Sequence, residues 1–302
     1  MRRLLHLSGR HRTASIDNLL GLLLAFNAGA VNAGGLLVVH MYTSHMSGFA
    51  SQVADGLVLG HATLILGAVG ALLAFMGGAA STAVIVHWAQ RHYLRSAYAM
   101  PLLLEAGLLL VFGLLGALTL TWPTPFSVPL TVLLLSYIMG LQNALSSSMS
   151  HGRLRTTHMT GHVTDLGLEL GRLLYRNPRG LAADERVRAS RPALRFHGGL
   201  LAMFIAGGIV GAAGFKYVGF VWVMPLAALL LALSLPPLRR DLRRSAYLRH
   251  RLASFRRRVV RSRPPPSPVR SPDADGPSFD PPAAGPTAPP TAASPPPSFP
   301  SA

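Results

Sequence analysis

Four stretches of this chain carry no charged residue: 18–54, 56–90, 106–152 and 217–238. Within and around them, mostly apolar runs predict six helices at about 18–39, 62–87, 98–120, 127–146, 196–214 and 217–236. Each is near or above the length that crosses the ~30 Å hydrocarbon layer of a bilayer as a helix. The apolar residues do not alternate with polar ones as the strands of a membrane barrel require. In hydrocarbon, a uniformly apolar run satisfies its backbone only as a helix.

The polar interruptions repeat. His45-Met46-Ser47-Gly48 returns as His158-Met159-Thr160-Gly161, and each copy follows two hydroxyl residues, Thr43-Ser44 and Thr156-Thr157. A second phrase, G-x-x-N-A, precedes both, as Gly29–Ala33 and Gly140–Ala144. Phe75-x-x-Gly78 pairs with Phe204-x-x-Gly207, and Met100-Pro101-Leu102 with Met224-Pro225-Leu226. Matches in one order imply two copies of one unit. Three crossings per unit set the second copy upside down relative to the first, a construction common in secondary transporters, whose site lies between the copies. If 48–60 and 161–175 also crossed, the copies would be parallel. The arginines favour three crossings.

Only 13% of the residues are charged, against about 25% in a soluble domain. The net charge of +17 is carried by arginines placed in loops and termini, which argues against nucleic acid. With the amino terminus inside, six crossings put all of them on one face and only Lys216 on the other, the asymmetry that orients membrane proteins. Both termini are then cytoplasmic, and a cleaved signal peptide at helix 1 would destroy the first G-x-x-N-A. The absence of cysteine excludes disulfides, thiolate ligands and a cysteine nucleophile.

The expected organisation is a basic lead at 1–17, a first three-helix repeat at 18–122, a second at 127–237, an Arg-rich juxtamembrane segment at 238–263 and a disordered Pro-rich tail at 264–302. Leu238, Leu242, Leu248, Leu252, Phe255 and Val259 suit a basic helix lying on anionic lipid through Arg239–Arg263. A charge cluster that stops transfer is the alternative.

Polar residues with glycine at a helix break suit a discontinuous membrane helix, in which Gly permits the turn and Ser or Thr caps the next helix. The candidate substrate-binding residues are therefore Asn32, His45, Ser47, Gly48, Asn143, His158, Thr160 and Gly161. Ordinary capping at the membrane edge is the competing reading. Glu105, inside helix 3, is a candidate for proton or cation coupling, because a buried acid there costs about 2.5–3.5 kcal/mol on insertion scales. Asp165 is a second coupling candidate, although Asp165 and Glu169 lie one turn apart and an ion pair with Arg172 is the favoured use. Gly78, Thr82, Gly207 and Gly211 are small-residue pairs suited to close helix packing, the two pairs against each other about the repeat axis. Histidine beside methionine suits soft metals, yet no spacing matches an established ligand set, so no metal site and no cofactor are expected. No nucleotide loop, nucleophile elbow or zinc-protease motif is present, and the chain is not expected to be an enzyme.

The chain resembles the YoaK family of bacterial membrane proteins. The resemblance rests on 28–48 with its N-A-G-G and H-M-S-G, on M-G-L-Q-N-A at 139–144, on T-T-H-M-T-G-H-V-T-D-L-G-L-E-L-G-R at 156–172, and on L-L-L-E at 102–105. It covers about 18–237 and departs at Phe49 and His162. It implies a multi-pass inner-membrane protein and supplies no substrate.

The resulting expectation is an all-α integral membrane protein with six transmembrane helices in a 3+3 inverted repeat and a short helix after each H-M-[ST]-G motif. Its expected function is transport of a small solute at the repeat interface. A membrane-embedded scaffold or interaction protein is the alternative, and the oligomeric state, homo-oligomer included, is open.

Overall fold

The apolar runs fold as helices. In the computed structural model, residues 14–261 are described except 95, 122–126, 151, 153–154, 179–181 and 183, with side chains described over most of 18–242. The basic lead before Ala14, the linker at 122–126 and the Pro-rich tail lie outside the described residues. The described elements are α1 (Ala14–Val39), α2 (Met46–Leu59), α3 (Ala62–Arg91), α4 (Ala99–Thr121), α5 (Ser127–Met149), α6 (Met159–Leu174), α7 (Arg191–Tyr217), a 3₁₀ turn (Gly219–Trp222) and α8 (Val223–Arg261). Residues up to Ala253 belong to one structural unit, and Ser254–Arg261 is the described helical part of a second. Among the described residues there is no strand.

Six segments are long and apolar enough to span a bilayer: Asn18–Leu37, Ala62–Arg91, Ala99–Leu118, Pro129–Met149, Arg191–Tyr217 and Gly219–Leu242. Each contains or closely overlaps a run expected from the sequence. The last was expected to stop near 236. Instead α8 continues through Pro236 and Pro237, which lack two backbone N–H donors. One turn later, Asp241 Oδ2 accepts from the Ser96 backbone N–H at 2.8 Å, tying α8 to the loop before α4. Of the apolar stripe expected over 238–259, the side chains beyond Leu242 lie outside the described residues.

The helices divide by enclosure. In α1 and α5, 67% and 61% of the span is buried, against 22–39% for the other four, so these two form the centre. Large apolar side chains on α3 and α7, including Leu66, Leu73, Val84, Ile205 and Ile209, face outward, as lipid-facing residues do. The largest hydrophobic cluster joins α1, α4, α5, α7 and α8, with the rings of Phe112, Phe215 and Phe220 meeting tilted or edge-to-face at separations of 5.9–6.4 Å.

Glycines set the closest approaches. A Cβ at Gly29 on α1 would lie 2.0 Å from the Phe204 carbonyl oxygen on α7, and one at Gly207 would lie 1.9 Å from the Phe26 carbonyl oxygen. The same exchange joins α3 and α5: Gly140 meets the Phe75 carbonyl at 2.0 Å and Gly78 the Tyr137 carbonyl at 2.0 Å. One turn on, Gly211 lies against the Ala30 backbone, while Thr82 Oγ1 donates to the Leu141 carbonyl at 2.9 Å. The small-residue pairs therefore face α5 and α1, not each other as expected. Their partners are the first helices of the opposite units, which carry Gly140 and Gly29 at the matching heights.

Gly78→Val and Gly207→Val should each lower stability by at least the ~1–3 kcal/mol typical of overpacking. Gly67→Ala and Gly107→Ala, where an added Cβ meets nothing within 4 Å, should instead be neutral or stabilise by up to about 1 kcal/mol. Thermal unfolding of the purified protein in detergent checks both, and equal effects at all four positions would contradict the backbone packing.

Candidate functional site

Both G-x-x-N-A phrases sit on the central helices, and each asparagine reaches forward to the turn before its H-M-[ST]-G motif. In the first unit, α1 ends at Val39 and the chain reverses at His40, whose φ of 55° lies in the left-handed region rare for residues other than glycine. Gly35 lies against the Leu135 side chain, 3.2 Å from where a Cβ would stand. Ser44 Oγ then donates to Asn32 Oδ1 at 2.9 Å. In the second unit, Asn143 Oδ1 accepts from the Thr157 backbone N–H at 3.2 Å, and Asn143 Nδ2 donates to Thr157 Oγ1. The Thr156 N–H is met by Ser146 Oγ at 3.4 Å. The first task of Asn32 and Asn143 is thus to hold the motif turns against α1 and α5.

The motifs open two short helices, and the caps differ from expectation. His45 and His158 occupy the N-cap positions of α2 and α6, with no side-chain capping bond, while Ser47 and Thr160 lie inside the first turn and are exposed. The role of glycine differs too. A Cβ at Gly48 or Gly161 would lie 2.4 Å from the Nδ1 of the preceding His45 or His158, so glycine makes room for the imidazole ring. The N–H groups of a first turn have no partner within their own helix, and here no side chain caps them.

Both short helices double back on the next span. Phe49 of α2 packs against Ala68 and Ala71 of α3, and Gly56 against Ile65. On α6, His162 meets His197 of α7, and Glu169 meets Ser190 at the start of α7. At 14 and 16 residues, α2 and α6 reach only about 21 and 24 Å at 1.5 Å per residue, short of a crossing. Their first turns follow the motif turns directly.

These turns share one cavity of about 560 Å³. Among the described residues, Ser44–Ser47 line it from one unit and Thr157–Thr160 from the other, with Arg155 contributing a charge and Phe75, Ala79, Gly140, Asn143, Ala144 and Ser147 adding to the wall. Of the sequence candidates, His45, Ser47, Asn143, His158 and Thr160 therefore line a common space. Asn32 stands behind it, bonded to Ser44, and Gly161 lies under the His158 ring. Gly48 lines a separate cavity of about 240 Å³ beside His40 and Gln52.

The acidic candidates lie elsewhere. Glu105 of α4 is fully buried: Asn27 Nδ2 donates to its Oε1 at 3.4 Å, and its Oε2 has no hydrogen-bond partner. The Asn27 and Gln142 side-chain oxygens are likewise buried without a donor. Glu169, not Asp165, pairs with Arg172, and its second oxygen accepts from the Ser190 N–H at 2.6 Å. Asp165 faces His197, with Oδ2 3.6 Å from Nδ1. The i,i+4 spacing of Asp165 and Glu169 hid this separation, because α7 packs alongside α6 and offers each carboxylate a different partner. His197 and Arg155 were not singled out from sequence. A signal was present for His197: the shift that carries Phe75 to Phe204 carries Ala68 to His197. Burial lowers the pKa of His162 from its ordinary value, opposed by its hydrogen bond to the Arg155 carbonyl.

Six apolar spans, two short helices that double back and a cavity between them define a polytopic helical membrane protein. The family model described as "Protein of unknown function (DUF1275)" matches residues 20–235, and the chain belongs to this family. It is similar to the UPF0700 transmembrane protein YoaK of Bacillus subtilis (strain 168), with 28% identity over 170 residues, which is 55% of this chain and 73% of the relative. Both findings agree with the resemblance read from the motifs. No solved structure matches the chain.

Asn143→Ala removes both bonds to Thr157 and should cost about 1–3 kcal/mol. Amide exchange should rise at 155–158 and stay unchanged at 44–47, with Asn32→Ala showing the converse. Uniform exchange across both turns would contradict the local anchoring.

Proposed function

We propose that the chain carries a small polar solute across the bacterial inner (plasma) membrane, as a transporter or permease without a reaction of its own. Its units form a 3+3 inverted repeat, and both termini face the cytoplasm, where the arginines are concentrated. The observation that carries this reading is the shared cavity: residues of both H-M-[ST]-G elements line it. The contacts between units support the inversion. Exchanging the units carries Gly29 on Phe204 into Gly140 on Phe75, and Gly207 on Phe26 into Gly78 on Tyr137. Half-length helices that begin near the middle of a fold, at the junction of two repeats, are how several secondary transporters bind their solutes.

The chemistry of the wall describes the solute. Two uncapped helix starts and Arg155 offer donors and positive potential, so the solute presents an oxygen acceptor or a negative group to them. Phe75, Met46, Met159 and Ala79 give it an apolar side. Glu105 is the coupling group. With Asn27 and Gln142 it leaves three buried oxygens lacking donors, a deficit that a proton or a small cation corrects.

Osmotic light scattering from reconstituted vesicles, run over a panel of small carboxylates, amino acids, polyols and inorganic anions, tests the reading. At least one solute should enter faster than into protein-free vesicles. Ala144→Trp, which fills the cavity, should reduce that entry by more than tenfold while the helical circular dichroism is retained, and Glu105→Gln should remove its dependence on a pH gradient. Entry unchanged by Ala144→Trp would remove the cavity from the path. Entry of no solute above the vesicle background would favour the scaffold reading.

A further inference from the structure

The two halves of the chain differ where α2 packs on α3 and α6 packs on α7. The shift from His45 to His158 carries Phe49 to His162 and Gln52 to Asp165, and the shift from Phe75 to Phe204 carries Ala68 to His197. In the first unit, Phe49 packs on Ala68 inside an apolar cluster. In the second, the same junction holds two imidazoles and a carboxylate. The first unit shows that an apolar pair suffices to seat a short helix on its neighbour, so the fold does not by itself require the histidines.

We propose that His162, Asp165 and His197 form a binding site for one divalent transition-metal ion of the zinc class. The three donor atoms lie within 4.8 Å of one another. His162 Nδ1 and His197 Nδ1 are 3.0 Å apart, and His197 Nδ1 and Asp165 Oδ2 3.6 Å. Ligands at about 2.0–2.2 Å around a tetrahedral ion stand roughly 3.3–3.5 Å from one another, so small shifts admit the ion. On His162 the ring nitrogen that is not a ligand is also accounted for. His162 Nε2 lies 3.1 Å from the Arg155 carbonyl oxygen, to which it donates, and this leaves the Nδ1 lone pair facing His197. Donation from the outer nitrogen to a backbone carbonyl is the usual support of a metal-bound histidine.

Two imidazoles and one carboxylate exclude magnesium and calcium, which take oxygen ligands, and suit zinc, cobalt or nickel. Three protein ligands leave a fourth position for water. Access is from the Asp165 side, where that side chain is half exposed while His162 is buried. The ion would join α6 to α7 one turn behind His158, which lines the cavity. The site does not depend on transport and stands on a separate set of residues.

Titration of the tag-free, chelator-stripped full chain in detergent tests this with Co²⁺ and Zn²⁺ as probes. One equivalent of Co²⁺ should give the visible absorption of a four-coordinate ion, Zn²⁺ should displace it, and Zn²⁺ should raise the melting temperature. The double variant His162→Phe/His197→Ala copies the first unit's junction and should stay folded. It should lose the band and weaken Zn²⁺ binding by more than the roughly 10–100-fold that loss of a supporting partner costs. His197→Gln keeps volume and polarity and gives the same readout where the double variant unfolds. Absence of the cobalt band and of stabilisation by excess Zn²⁺ in the wild type would overturn the site. An undiminished band in the variants would overturn it equally, by placing the ion at other histidines.

Discussion

Backbone laid on backbone, with no side chain between, is the contact on which the rest depends. At Gly29, Gly207, Gly78 and Gly140 an added Cβ would fall within about 2 Å of a carbonyl oxygen on the neighbouring helix. A bilayer gives helices little hydrophobic reason to associate, so close packing at small residues must supply the attraction. Because these glycines press α1 onto α7 and α5 onto α3, the two halves of the chain are interlocked rather than adjacent. That interlocking encloses α1 and α5, the helices from which the asparagines reach the motif turns. It also brings turns distant in sequence to one cavity.

The site is then built by deviation from helix. Each central helix is followed by a turn tied back by asparagine, then by a short helix whose first turn is roofed by a histidine ring over glycine. The polar atoms this exposes line the shared cavity. Where the units match, they describe the scaffold and the cavity. Where they differ, the residues answer to something besides the fold: Glu105 with Asn27 in the core, and the His162, Asp165 and His197 cluster behind the second motif.

The spans were legible because absence of charge over 18 or more residues is a strong physical statement about solvent. The repeated phrases were legible for a related reason, since a glycine or asparagine amid leucines stands out. Partnerships were not. Nothing at Gly78 says whether it meets Gly207 or Tyr137, because a bare backbone is compatible with any close neighbour. Asp165 read as Glu169's companion on one helix face, but α7 gave the two carboxylates separate roles. His197 lay at the start of the run expected as a helix at 196–214, and only the packing of α6 on α7 sets it beside His162. The last apolar run was expected to end near 236, yet α8 passes through Pro236 and Pro237 and is anchored at Asp241.

The inversion of the two units is the central claim, and side-specific labelling tests it most directly. The chain has no cysteine, so single cysteines report without background. His61→Cys sits at the exposed turn between α2 and α3, and Asp184→Cys at the corresponding exposed connection between α6 and α7. In sealed cells, a membrane-impermeant maleimide should label His61→Cys from outside and reach Asp184→Cys only after permeabilisation. Labelling of both from the same side would contradict the inverted arrangement.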